Sequence, residues 1–180
     1  DKVIPAGTGD DTKSRYAIES LSRFLSGKGR DSERAMWEKI CISYATGSKD
    51  PGVRDFFMKQ LQQIGGALSV EAVKVYLGSK ELCDPALGVI TAVGGPSAEK
   101  ILAESLKSKE LPCASSVMNT LAAMNSDIAV NEYINWSQNP DINIRASAYN
   151  ALARSGSPLA YPVLSNAAKA VSYRWEQTEA

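Results

Sequence analysis

Two pairs of acidic residues, Asp10 with Asp11 and Glu33 with Glu38, are the first places where this chain could do chemistry. Two carboxylates held together can share the work of a general acid and a general base. Adjacent residues on a helix point apart, and both pairs stand among lysines and arginines, so they read as a solvated face or a helix cap. Gly7 to Lys13 has the glycines of a phosphate loop but neither the full spacing nor a preceding strand, and its two aspartates would repel phosphate. It reads as a turn followed by a cap. Arg54 and Arg145 could bind anions, but their shared place in the pattern below points to a repeated structural role.

The chain contains no histidine, which removes the usual triad base, the usual pH switch and most zinc sites. No catalytic, metal or cofactor site is therefore expected. Cys41, Cys83 and Cys113 are odd in number and widely spaced, which is not a disulfide framework. Cys41 shares an apolar helical face with Trp37, Ile40 and Tyr44, so it reads as a small buried hydrophobe. Tyr133 and Trp136 fall three residues apart on one short helix. Trp136 takes a position held elsewhere by Tyr76, Ser105 and Ala167, and is either core or a contact on a concave groove. Tyr173 and Trp175 sit in the last ten residues, on a helix start with no partner to follow: a fold-back cap or a severed interface. Trp136, Tyr173 and Trp175 are thus the candidate partner-binding residues.

The elements that position these groups follow from one repeat. Gly65, Gly94, Asn125 and Gly156 are 29, 31 and 31 residues apart. Twelve residues before them stand Val53, Leu82, Cys113 and Ile144. Eight before stand Phe57, Ala86, Val117 and Ala148, and four before stand Leu61, Ile90, Leu121 and Leu152. All are apolar, in steps of four, which is the stripe of a helix. Glycine or asparagine at the anchor suits the left-handed residue that ends one. Eight residues after the anchors, Val73, Leu102, Tyr133 and Leu164 mark a second helix, expected to span about 11–14 residues. Asp50-Pro51, Asp84-Pro85 and Ser157-Pro158 pair a capping side chain with proline at the first helical position, and Asp141 is a further cap. Strand signals are nearly absent, with no convincing period-2 run and no Asn-Gly or Asp-Gly hairpin turn. A lone helical pair cannot bury its apolar face, whereas stacked pairs can, so the pattern predicts an all-α solenoid of about five to six helical pairs.

The stretch from Asp141 to Gly156, with Ile144, Arg145, Ala148 and Leu152, resembles a HEAT-type (armadillo-like) repeat of the short bacterial form found in phycocyanobilin-lyase-like proteins. Asp50-Pro-Gly-Val53-Arg54 is a second copy of its Asp-x-x-x-Arg opening. The resemblance covers about residues 50–168 and implies a right-handed α-α superhelix. Ser79 and Glu110 replace the aspartate and Cys83 and Ala114 the arginine, which interrupts an Asp–Arg ladder in the middle units. Gly7 to Leu25 is similar to the opening of repeat arms in large secreted proteins of Bacteroidetes-like bacteria. Those arms often accompany a 3-keto-disaccharide hydrolase domain.

The expected organisation is an extension over 1–10, an atypical helical pair over 11–46, HEAT-like repeats over 47–170, and a truncated or capping helix over 171–180. Residues 1–10 have too little apolar content to hold a fixed conformation alone. In the atypical pair, Ala17, Leu21, Phe24 and Leu25 are expected to form one face, and Trp37, Ile40, Cys41 and Tyr44 the next. The start at Asp1, with no methionine or signal peptide, reads as a trimmed piece of a larger protein. The resemblances imply a secreted or periplasmic module linked to carbohydrate metabolism. Its partner would be a protein or a neighbouring domain of the same polypeptide. Twenty basic residues balance twenty acidic ones, evenly along the chain, which argues against nucleic acid as a partner. The competing reading is an enzyme on a HEAT-like scaffold, such as an alkylpurine DNA glycosylase.

Overall fold

A computed structural model of the chain describes residues 2–170. It is all-helical: ten α-helices and one 3₁₀ segment, with no strand among the described residues. They fall into two compact units, divided between Ala98 and Glu99 inside one helix.

The first unit holds α1 (Thr12–Leu25), α2 (Asp31–Gly47), α3 (Pro51–Ile64), α4 (Ala67–Val73) and α5 (Cys83–Val93). A 3₁₀ segment, Lys74–Gly78, continues α4. α3 begins as the sequence predicts: Asp50 accepts from Val53 N at 2.8 Å, and Pro51 takes the first turn. Such a cap contributes about 1 kcal/mol. α5 differs, because it starts at Cys83 and leaves Asp84 inside the first turn without a capping bond. α3 packs on α1, α2 and α5, and α4 packs on α2 and α5.

The second unit holds α7 (Ala114–Ala123), α8 (Val130–Trp136), α9 (Ile142–Ser155) and α10 (Ala160–Ala170), while α6 (Gly95–Ser105) spans the boundary. Asp141 caps α9 through Asn143 N at 2.8 Å. Ser157 instead accepts from Leu159 N in a turn that precedes α10. α9 packs on α7, α8 and α10, and α8 also touches α10.

The apolar stripe is the core. Eleven of its twelve residues are buried and Ile144 is half-buried. Val73, Leu102 and Tyr133 in the second helices are fully covered, and Leu164 is half-covered. The register also shows in polar groups. Asn119 and Asn150 each stand six residues before an anchor, and Asn150 Nδ2 donates to Asn119 Oδ1 at 3.2 Å.

Several expectations change. The second helices of the first and third units of the repeat are short, seven residues each in α4 and α8. In α4 the β-branched Val70 and Val73, followed by Gly78, favour a short helix that tightens into a 3₁₀ turn. Gly94, Asn125 and Gly156 have φ of 67°, 53° and 66°, but Gly65 is extended. Glycine is needed at 65 for space: a Cβ there would overlap Leu61 O and lie 2.8 Å from Ser69 Oγ.

The faces of α1 and α2 are also rotated from the expected ones. Leu25 and Cys41 are buried as expected and Ser22 joins them, whereas Ala17, Leu21, Phe24, Ile40 and Tyr44 are exposed. Polar partners decide this: Ser22 Oγ accepts from Trp37 Nε1 at 2.9 Å, and the Phe24 ring lies under the Arg30 guanidinium at 3.6 Å. Within the expected extension, Ile4 is bonded to the start of α1. Ile4 N donates to Asp11 Oδ2 at 2.8 Å, and Ile4 O accepts from Arg15 at 3.1 Å. Finally, Cys83 and Cys113 are each disulfide-bonded, so the cysteine spacing misled; Cys41 is a free, buried thiol.

Candidate functional site

Trp136 ends α8, and its indole is 7% exposed. Its Nε1 donates to Leu106 O at 2.8 Å, which fixes the ring and satisfies its one polar atom. Beside it lies a hollow of about 350 Å³. Leu106 and Trp136 are its apolar floor. Lys107, Lys109, Glu132, Asn135, Gln138 and Asn139 surround them. Lys107 pairs with Glu104 at 2.6 Å, and the Glu104 and Glu132 carboxylates together hold its ammonium above the ordinary lysine range. Among the described residues, the side chains of Lys109, Glu132 and Asn135 make no hydrogen bond. An ammonium, a carboxylate and a carboxamide therefore face solvent around an apolar floor. That arrangement can anchor a side chain and meet polar groups of either sign around it. Sequence reasoning pointed to Trp136 but missed the rim, because Lys109 and Gln138 lie in connections outside the helical stripe. Tyr173 and Trp175 lie outside the described residues.

Asp10, Asp11 and Glu38, considered for catalysis, each make structural hydrogen bonds. Asp10 accepts from Thr12 N at 3.0 Å, which lowers its pKa. Asp11 is lowered by the Arg15 guanidinium and the Ile4 amide. Glu38 is buried on α2, where its Oε1 accepts from Gly66 N, Ser69 N and Ser69 Oγ at 2.7, 3.1 and 2.6 Å. It thereby satisfies the start of α4, twenty-eight residues along the chain. Glu33 is exposed on the first turn of the same helix. Burial, with Glu38 nearby, pushes the Cys41 thiol up to about 12, so the nucleophilic thiolate is scarce near neutrality.

Arg54 and Arg145 share one role, as their register suggests. Arg54 Nε donates to Ser48 O at 2.5 Å, and Arg145 donates to Asn139 O at 3.0 Å, each six residues upstream. Each clamps the loop that enters its helix. Arg54 also lies over the Tyr76 ring at 5.3 Å. Among the described residues, no group of three or more cysteines and carboxylates is placed to hold a metal ion, and no helix is long and apolar enough to cross a membrane. No protein-family model matches the chain, and no curated protein matches it.

Proposed function

We propose that this chain is a non-catalytic interaction or scaffold module, built as a right-handed, HEAT-like α-solenoid. The observation that carries this reading is the bond from Asn150 to Asn119, which joins the same register position one repeat apart. The packing of alternate helices supports it: α3 on α5 and α2 on α4 in the first unit, α7 on α9 and α8 on α10 in the second. Stacked repeats make this nearest-neighbour pattern, and their usual task is to present surface. The Trp136 hollow is the surface proposed to meet a protein partner or a neighbouring domain of a larger polypeptide. Cys83 and Cys113 are each disulfide-bonded, which favours an oxidising, secreted or periplasmic setting. A link to carbohydrate metabolism rests on the resemblance of Gly7 to Leu25 alone.

Native-state hydrogen exchange of a Leu61→Ala variant tests the architecture. A solenoid loses protection mainly in α3 and the helices packed on it. Loss spread evenly over every helix would overturn the reading, since it would show one cooperative core. Binding to a DNA duplex at low and moderate salt tests the competing enzyme. Salt-sensitive binding followed by release of an alkylated base would replace the scaffold with a glycosylase.

A further inference from the structure

We propose that α1, α2 and α3 form a docking groove for an extended aliphatic peptide segment, and that the chain's own residues 2–5 occupy it as a displaceable strap. Two hollows flank the strap. One, of about 360 Å³, is lined by Lys2 and Val3 together with Ile18, Trp37, Ile40, Tyr44 and Phe57. The other, of about 490 Å³, is lined by Val3, Pro5, Tyr44 and the α2–α3 connection. Both share Val3 and Tyr44, so the strap is the partition of one larger concavity. Its floor is aromatic, with the Tyr44 ring stacked on Phe57 at 4.6 Å.

The mode of capture defines what the groove takes. Both main-chain groups of Ile4 are held by side chains of the α1 start, the N–H by Asp11 and the carbonyl by Arg15. Asp11 and Arg15 are themselves joined at 2.9 Å. Main-chain capture with an apolar floor is how grooves bind extended segments. Pro5 biases Ile4 toward that extended form. The Ile4 side chain reaches Gly9, where a Cβ would lie 3.0 Å from Ile4 Cδ1. The complementary ligand is thus an extended segment with β-branched aliphatic residues before a proline. The strap itself is held lightly: Val3 and Ile4 are only half-buried, and Lys2 and Pro5 are exposed. Segments with so few covered contacts open at low cost. A tethered occupant still competes strongly, because its effective concentration is in the millimolar range.

This inference is separate from the reading of the Trp136 hollow, whose indole serves as the control. The test uses the whole chain and the peptide acetyl-Lys-Val-Ile-Pro-Ala-amide, followed by the indole N–H resonances of Trp37 and Trp136. A Val3→Ser, Ile4→Ser double variant is expected to bind at least about tenfold more tightly than the unaltered chain, because its own strap no longer competes. The Trp37 signal moves and the Trp136 signal does not. An Asp11→Asn variant, which keeps the aliphatic side chains but weakens the clamp, is expected to fall between them. Equal binding by the double variant and the unaltered chain would overturn the proposal. So would no binding by a double variant that melts like the unaltered chain, or equal binding of a peptide with serines for Val-Ile. Dimerisation of the unaltered chain that the double variant abolishes would also overturn it, by placing a second copy's strap in the groove.

Discussion

Asn150 donates to Asn119 at 3.2 Å across thirty-one residues, the spacing of the apolar repeat itself. Each residue is thus bonded to its own counterpart on the next helix of the same kind. A double-mutant cycle of Asn119→Ala and Asn150→Ala should show a coupling of about 0.5 kcal/mol, small because the pair is exposed. Zero coupling in urea unfolding would mean that the helices do not hold this register in solution.

Leu152 ends the last copy of the stripe and is fully buried. Leu152→Ala should cost about 2–5 kcal/mol from lost burial and the cavity left behind. An unchanged melting temperature would contradict its place in the core.

Glu38 holds three donors on one oxygen. Glu38→Ala strands the first N–H groups of α4 and the Ser69 hydroxyl, at about 1–3 kcal/mol. Glu38→Gln retains a carbonyl acceptor and should cost less. If both cost the same in chemical unfolding, the charge and not the acceptor geometry would be what matters.

Neighbouring glycines separate space from conformation. Gly65→Ala would drive a methyl group into Leu61 O and should destabilise by about 1–3 kcal/mol. Gly66 is also extended, and a Cβ there would come no nearer than 3.5 Å to Glu38 Oε1, so Gly66→Ala should be close to neutral. Equal costs by thermal melting would refute the steric account.

Thiol chemistry gives a count and a pH dependence. In denaturant without reductant one thiol should react, that of Cys41, and three after reduction. In the native chain, Cys41 and the Tyr133 hydroxyl keep their protons to about 12, both chiefly through burial. The unfolded chain releases them from about 9.0 and 10.0. Above those values the unfolded state binds fewer protons than the native state. These two groups therefore leave stability unchanged below about pH 9 and lower it as pH rises toward 12. A Cys41→Ala, Tyr133→Phe variant should show a shallower alkaline decline, and an identical decline would assign the effect elsewhere.

The sequence by itself determined the helices of the repeat, their buried stripe, the caps at Asp50 and Asp141, and the common role of Arg54 and Arg145. All of these follow from spacing within one helix or its adjoining loop, where 3.6 residues per turn sets who faces whom. The candidate site was only partly legible: Trp136 stood out, but the loop residues around it obey no period. The inward turn of Leu25 was legible, but tertiary structure alone decided that Ser22 joins it while Leu21 and Phe24 do not. It also decided that Gly65 is needed for space, that Glu38 starts α4, that Cys41 alone of the three cysteines is a free thiol, and that Ile4 is clamped. Each depends on groups brought together by packing, and the energies that choose between faces of comparable apolarity arise only when a partner such as Trp37, Ser69 or Arg15 arrives.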